Sequence, residues 1–271
     1  MSSSLLVSTQ RENFDSFLSI ARSQGTGLEI QSFTSPEVLD DNWKSLVKTY
    51  EKRLKDFEGG VSLHGAFYDS FPHTRDKRLK RIVRDRYMRC LEIGKRLGAR
   101  TVVFHAHFNP FIKHSTYINS WVRRQVDFWK ELVDFAEREQ VTITLENLWE
   151  ENPSMIQSLL RAVPSERFKA CFDTGHANLF SRVPIEQWVK ELGKDLFHVH
   201  LHNNHGEMDE HLSPRNGTLK FEKFFKALEA LPHTPQISIE VYEEKAAEEG
   251  VEMVRALSPR PDYAARSGSA D

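Results

Sequence analysis

A single (β/α)8 barrel of the α/β class is the fold this sequence predicts, and three observations predict it. Short apolar, β-branched runs alternate eight times with longer segments of helical spacing, which is the pattern of βαβ units on a parallel sheet. The connections are short, no linker divides the chain, and no Gly-x-Gly-x-x-Gly turn follows the first strand, as an open dinucleotide-binding sheet would show. Six of the eight strands run into a residue that can hold a metal or carry a proton: His64, His105, Glu146, Asp173, His200 and Glu240. In a closed barrel the C-terminal strand ends ring one mouth, so residues far apart in sequence converge there. The expected domain is residues 1–257, followed by a disordered tail over 258–271 carrying Pro259, Pro261 and a Ser/Gly/Ala-rich end.

Leu5–Val7 is the first strand, and Asn13–Ser23 has helical spacing until Gly25 and Gly27 break it. Gly27–Ser32 is the second strand. Asn42–Phe57 is an amphipathic helix closed by Gly59-Gly60. Val61–His64 is the third strand. Asp76–Leu97 is a long helix with Ile82, Val83, Tyr87, Cys90, Leu91, Gly94 and Leu97 on one face and a basic opposite face, read as solvated. Thr101–Phe104 leads to His105. The helix from about Tyr117 to Glu139 carries Val122, Val126, Trp129, Leu132, Val133 and Ala136. Val141–Leu145 ends at Glu146, a short helix spans Ser154–Val163, and Phe168–Phe172 ends at Asp173. Pro184 suits the first turn of a helix reaching Gly193. Leu196–Val199 enters a stretch with five histidines between Phe197 and Leu212. Leu219–Leu231 is helical, Ile237–Ile239 ends at Glu240, and Lys245–Leu257 is the last helix.

A hydrophobic content of 39% with 28% charged residues suits a globular enzyme, and a net charge of −2 gives no overall bias toward nucleic acid or a membrane surface. No run of about 18 apolar residues exists to span a bilayer, and the N-terminus lacks the basic and apolar regions of a secretion signal. Cys90 and Cys171 sit in apolar segments, as buried thiols in a reducing compartment would. The expected location is cytoplasmic.

A divalent metal at the barrel mouth is the chemistry that six imidazole and carboxylate strand ends imply. Each position also has a plainer meaning. Glu146 and Glu240 could accept bonds from loop amides, Asp173 could cap a turn, and His64 could be a core histidine. His105 and His107 alternate, so one of them faces the mouth; His105 directly follows its strand and is the choice, and His107 is either a group supporting the ligands from behind or the true ligand. Among His198, His200 and His202, His200 is the choice.

Several motifs make the pattern specific: Asp173-Thr-Gly-His176-Ala-Asn178, His200-Leu-His-Asn-Asn204, Asp209-Glu-His211-Leu212, His64-Gly-Ala-Phe-Tyr68 with Pro72 after it, and Glu146-Asn147. In this order, across about residues 5–256, the chain resembles the xylose isomerase-like TIM-barrel superfamily, which includes sugar-phosphate isomerase/epimerases and endonuclease IV. The resemblance implies a four-ligand metal site of Glu146, Asp173, His200 and Glu240, for a cofactor drawn from Mn, Zn, Co, Fe or Mg. It implies that Glu146 and Glu240 are catalytic and that His176 lies near the substrate. It also implies a larger set, in which His64, His105, His176, Asp209 and His211 complete a pattern similar to the nine-ligand, three-zinc site of endonuclease IV.

Two chemistries follow. With one metal, two carboxylates exchange a proton on the carbon of a hydroxy-ketone through an enediolate, and the partner is a sugar or sugar phosphate held by residues such as His64, His107, His176 and Arg215. With a cluster, a bound water attacks a phosphodiester, and nucleic acid becomes the partner. The Asp-Thr-Gly-His-Ala-Asn form and the His64 loop favour the first. A non-catalytic, metal-dependent ligand-binding barrel is the third reading. A homodimer is compatible with each. One departure concerns residues 213–217: Ser-Pro-Arg215-Asn-Gly stands where the family usually has Pro-Leu-Gly-Glu-Gly, and Asn203 stands where Asp is common.

Overall fold

A computed structural model of the chain describes residues 4–264. Strands β1 (Leu5–Thr9), β2 (Gly27–Ile30), β3 (Val61–His64), β4 (Ala99–His105), β5 (Thr142–Glu146), β6 (Phe168–Asp173), β7 (Leu196–Leu201) and β8 (Gln236–Ile239) pair in sequence order. All pairings are parallel, and β8 returns to β1 to close the barrel. Around it lie α1 (Phe14–Gln24), α2 (Trp43–Arg53), α3 (Lys77–Arg96), α4 (Ser115–Glu139), α5 (Ser154–Ala162), α6 (Thr174–Phe180), α7 (Ile185–Leu192), α8 (Glu222–Glu229) and α9 (Glu244–Leu257).

The strands divide their side chains by parity. One set is apolar and joins the core with the helices: Val7, Leu28, Ile30, Leu63, Phe104, Leu145, Phe172, Val199 and Ile239. The other set is largely polar and turns into the barrel. Thr101 on β4 donates to Gln236 Oε1 on β8 at 2.7 Å, and Ser8 on β1 meets Ser238 on β8 at 2.8 Å. A β4–β8 hydrogen bond crosses the interior, because those strands are not neighbours. Barrel interiors are usually filled with Val, Ile and Leu; this one is threaded with hydroxyls, imidazoles and carboxylates. The strand-end ligands occupy that same inward parity, which is why they meet at one mouth.

The helices follow their apolar stripes. α1 ends at Gly25, whose left-handed backbone (φ 63°) returns its N–H to the last carbonyls. Asp76 caps α3 by accepting from the N–H groups of Arg78 and Leu79. α3 buries Val83, Tyr87, Cys90, Leu91 and Gly94 as expected, but Ile82 lies exposed. Its basic face is a solvated ion-pair surface: Arg86 and Arg89 reach Asp40, Arg96 reaches Glu51, and Lys95 reaches Glu139. Both cysteines are buried and free, as predicted. In α4 the stripe is rotated toward Trp121, Gln125, Phe128 and Trp129, leaving Val122 and Val126 half-buried at its edge. Here the volume of two indoles outweighs that of two valines.

Three features differ from the sequence reading. A π-helical turn, Val38–Asn42, precedes α2, which stops at Arg53 rather than Phe57. α6 starts directly after β6, where no helix was expected. The tail is not disordered from Ser258 onward. A 3-10 turn, Pro261–Tyr263, packs under the barrel; Tyr263 is buried and its hydroxyl donates to Pro235 O at 2.7 Å. Arg260 donates to the carbonyls of Leu228, Glu229, Leu231 and His233, at the end of α8 and in the following loop. The remainder of the expected disordered tail, 265–271, lies outside the described residues. Among the described residues no helix is long and apolar enough to cross a membrane.

Candidate metal centre and active site

Glu146 is the hub of the mouth. His200 Nδ1 and His176 Nδ1 approach its Oε1 at 3.1 and 3.3 Å, while His64 Nε2 and His105 Nε2 approach its Oε2 at 3.2 and 3.1 Å. His200 Nδ1 is also 3.0 Å from Glu240 Oε2 and 3.7 Å from Asp173 Oδ2. The donor atoms of Glu146, Asp173, His200 and Glu240, from the ends of β5, β6, β7 and β8, all lie within 4.8 Å of one another, and all four residues are buried. Metal–ligand bonds of about 2.0–2.2 Å place neighbouring ligands roughly 3.0–3.5 Å apart, so the spacing fits one cation at their centre.

Electrostatics points the same way. The four-donor set holds three buried carboxylates and one imidazole, and Glu240 Oε2 has no hydrogen-bond partner. A buried anion without compensation costs several kcal/mol. Burial alone would raise the carboxyl pKa values of Glu146 and Glu240. The fields of His105 and His200 on Glu146, and of His200 on Glu240, hold both well below the usual range. Reciprocally, burial disfavours protonation of His176 and His200, yet the surrounding carboxylates hold both well above the ordinary imidazole value. The site calls for positive charge, which a divalent cation bound by these donors would supply.

Local sequence explains the placement. Asp173 caps α6, accepting from His176 N–H at 2.6 Å, so capping and site membership are the same geometry. Asn147 clamps the backbone of Asp173 from both sides, donating to its carbonyl at 3.0 Å and accepting from its N–H at 2.8 Å. Gly175 lies under His202: a Cβ there would come 2.0 Å from the imidazole. His202 in turn stands 3.0 Å from Asp173 Oδ2 and stacks on His211 at 4.1 Å. Asp209 Oδ2 bridges His176 Nε2 and His211 Nε2 at 3.3 and 3.2 Å, linking the two histidines at the rim.

Above these groups opens a cavity of about 530 Å³, lined by His64, His105, His176, Asp209, His211 and Glu240 on one side. Gln31, Arg11, Ser32, Phe67 and Tyr242 form other parts of its wall. Gln31 donates to Glu240 Oε1 at 2.6 Å, fixing one of the carboxylate oxygens.

Two expected substrate contacts are not brought to this cavity. Arg215 is exposed and turns toward Glu252 at 3.9 Å, because the 213–217 loop is held outward by Ser213 on Glu249. His107 is buried behind the wall, stacked on Phe67 with neither ring nitrogen hydrogen-bonded, and its backbone is left-handed (φ 57°). Of the pair at the end of β4, His105 faces the mouth.

Two buried acids escaped the sequence reading. Glu150 accepts N–H bonds from Leu148 and Trp149 in its own loop and from Phe108 in the loop after β4. Glu29, in the middle of β2, lies inside the barrel beneath His200. A lone carboxylate in a strand otherwise made of Gly27, Leu28 and Ile30 was the available signal.

Known proteins with this architecture provide the comparison. A protein of Methanocaldococcus jannaschii, itself uncharacterised, is 26% identical over 200 residues, covering 70% of this chain and 68% of that one. A solved D-tagatose 3-epimerase-like protein superposes with a TM-score of 0.77 at 24% identity, covering 93% of this chain and 96% of that one. A Thermus thermophilus protein, solved after soaking with zinc chloride, gives 0.78 at 22% identity over 94% and 98%. Residues 19–257 match the family described as "Xylose isomerase-like TIM barrel". That match spans most of the chain, and the protein belongs to the xylose isomerase-like TIM-barrel family.

Proposed function

We propose that this protein is a divalent-metal-dependent isomerase or epimerase acting on a sugar or sugar phosphate. The observation that carries the reading is the convergence of Glu146, Asp173, His200 and Glu240 on one point, next to a polar cavity that Glu240 and the neighbouring His64, His105 and His176 line. The likeness to an epimerase-like structure supports it, as does the zinc soak of the Thermus relative.

Glu146, Asp173, His200 and Glu240 would hold the cation, which when bound polarises the carbonyl and hydroxyl oxygens of a hydroxy-ketone. The chain's own groups do the rest. Glu146 and Glu240 lie 3.1 and 3.0 Å from the same nitrogen, His200 Nδ1, so two carboxylates are available to one carbon of a substrate held there. One removes its proton and the other returns a proton, and the electron pair is held meanwhile as an enediolate. His64 and His105 steady Glu146, and Gln31 steadies Glu240. His176 lines the cavity between Glu146 and Asp209 and can donate to a substrate oxygen. Phe67 and Leu148 add apolar surface to the cavity wall.

The test is to incubate metal-loaded protein in D2O with a panel of ketoses and ketose phosphates and follow epimer formation and deuterium uptake by NMR. Uptake at the carbon beside the carbonyl is expected. Glu146→Gln or Glu240→Gln should lower it by at least about 10²-fold. Absence of exchange with every sugar defeats the proposal.

One observation favours a second reading, a multi-metal phosphodiesterase. His105, Glu146 and His176 form a further donor group around Glu146, and Asp209 joins His176 to His211. Three metals per chain by elemental analysis, with chelator-sensitive cleavage of an abasic-site duplex, would establish it in place of the first.

A further inference from the structure

Beneath the mouth, Glu29 occupies the barrel interior, fully buried. His200 Nε2 lies 2.8 Å from its Oε1 and His198 Nε2 lies 2.8 Å from its Oε2. Both are ion-pair approaches that fall short of hydrogen-bond geometry, and neither ring nitrogen has a hydrogen-bond partner elsewhere. Ser62 on β3 donates to Oε2 at 2.8 Å, and Ser8 on β1 donates more weakly to Oε1 at 3.4 Å. Three strands, β1, β3 and β7, thus send groups to a carboxylate carried by a fourth, β2.

Three facts set this group apart from packing. Barrel layers are ordinarily apolar, and an acid there must overcome a desolvation cost of several kcal/mol. Glu29, His198 and His200 could in principle ligate a cation themselves. However, the 2.8 Å separations are shorter than the roughly 3.0–3.5 Å expected between ligands of one metal, and they match N–H···O contacts. Finally, His200 presents its other nitrogen, Nδ1, to Glu146 and Glu240. An imidazole that donates through one nitrogen offers a lone pair at the other.

We infer that Glu29 is a positioning residue for the metal centre: it holds the His200 proton on Nε2 and fixes the ring so that the Nδ1 lone pair faces the site. Metal-binding imidazoles depend on such outer partners for tautomer and orientation, and losing one typically lowers affinity about 10–100-fold. His198 shares the carboxylate, fills its second oxygen and keeps it from rotating away from His200. The inference rests on the proposed metal centre but not on which reaction that centre performs.

The test uses metal-free and metal-loaded full-length protein and needs no turnover. In 15N-histidine-labelled, Zn2+-loaded protein, where the cation takes the place of the Nδ1 proton, His200, assigned by its absence from His200→Asn, should show the Nε2–H form with slow exchange. Glu29→Gln, whose amide can turn a donor toward either ring, should abolish or split that signature. It should also weaken Zn2+ or Mn2+ binding about 10–100-fold in chelator competition, with apo thermal stability little changed. If Glu29→Gln does not fold, Ser62→Ala removes one donor to the same carboxylate, and the expected loss is several-fold. Unchanged affinity and an unchanged His200 tautomer in a folded variant overturn the inference. Failure of wild-type protein to bind any divalent cation defeats the metal centre itself.

Discussion

Individual residues here serve two masters, and Gly175 shows it most sharply. It sits in the first turn of α6, where Asp173 caps the helix. It also lies against the face of His202, which touches Asp173 with its Nε2. A methyl group at this position would meet the imidazole of His202, whose ring stacks on His211 and whose backbone N–H is held by Thr174 Oγ1. Gly175→Ala should therefore cost on the order of 1–3 kcal/mol, the usual penalty of overpacking. It should also tilt Asp173 and weaken metal binding, whereas an overpacked site remote from the centre would lower stability alone. Urea unfolding and chelator competition on the same variant separate the two effects; a stability loss with unchanged metal affinity would show that His202 does not support Asp173. The left-handed His107 and the outward Arg215 show the limit of reading at this scale. Their direction is set by the loop around them, not by their own residue type.

At the scale of elements, the mouth depends on loops being held by buried acids. Glu150 ties the loop after β5 to the loop after β4 through three backbone N–H groups. Burial pushes its carboxyl up to about 7, against the pull of those amides. The folded pKa is thus above the unfolded value of about 4.5, so the folded state binds more protons between the two. The stabilisation associated with this group is fully present below about pH 4.5 and is lost as pH rises through about 7, a change on the order of 3 kcal/mol. Glu150→Gln carries no such proton. Measured by denaturant unfolding in EDTA, the advantage of wild type over the variant should shrink between about pH 5 and about pH 7.5. Histidines common to both proteins cancel in that difference, and parallel pH profiles would contradict the assignment. Such clips are hard to see in sequence because Trp149-Glu150-Glu151-Asn152 reads as an ordinary polar loop. The same holds for α6: a helix seven residues long lacks the periodic stripe that reveals α3 or α7.

For the molecule as a whole, legibility followed parity. The eight strands were visible because their outward residues are apolar, and six of them run into His, Asp or Glu, so both the closed barrel and the ring of donors were readable. Glu29 was not, because a polar residue in a short strand reads equally as solvent-facing, and only closure turns that face into an interior. Nor was the packing of 258–264, since Pro, Arg and Ser suggest disorder while one tyrosine and one arginine fix the segment under the barrel. Closure also couples the site to global stability. Glu146, Asp173, His200 and Glu240 come from β5 to β8, so separating those strands disperses the donors, and the unfolded chain retains no such site. A ligand bound only by the folded state stabilises it by RT ln(1 + [L]/Kd), about 2.7 kcal/mol at a hundredfold excess over Kd. For a domain of this size, that is roughly a 5–10 °C rise in Tm. Saturating Mn2+ or Zn2+ should raise Tm by this amount over EDTA-treated protein. Asp173→Asn should lose most of the rise, since the amide cannot neutralise the cation. Asp209→Asn should keep it if one metal suffices and lose part of it if the rim donors hold a further ion. A metal-independent Tm in wild type would mean that the four donors do not act as one site.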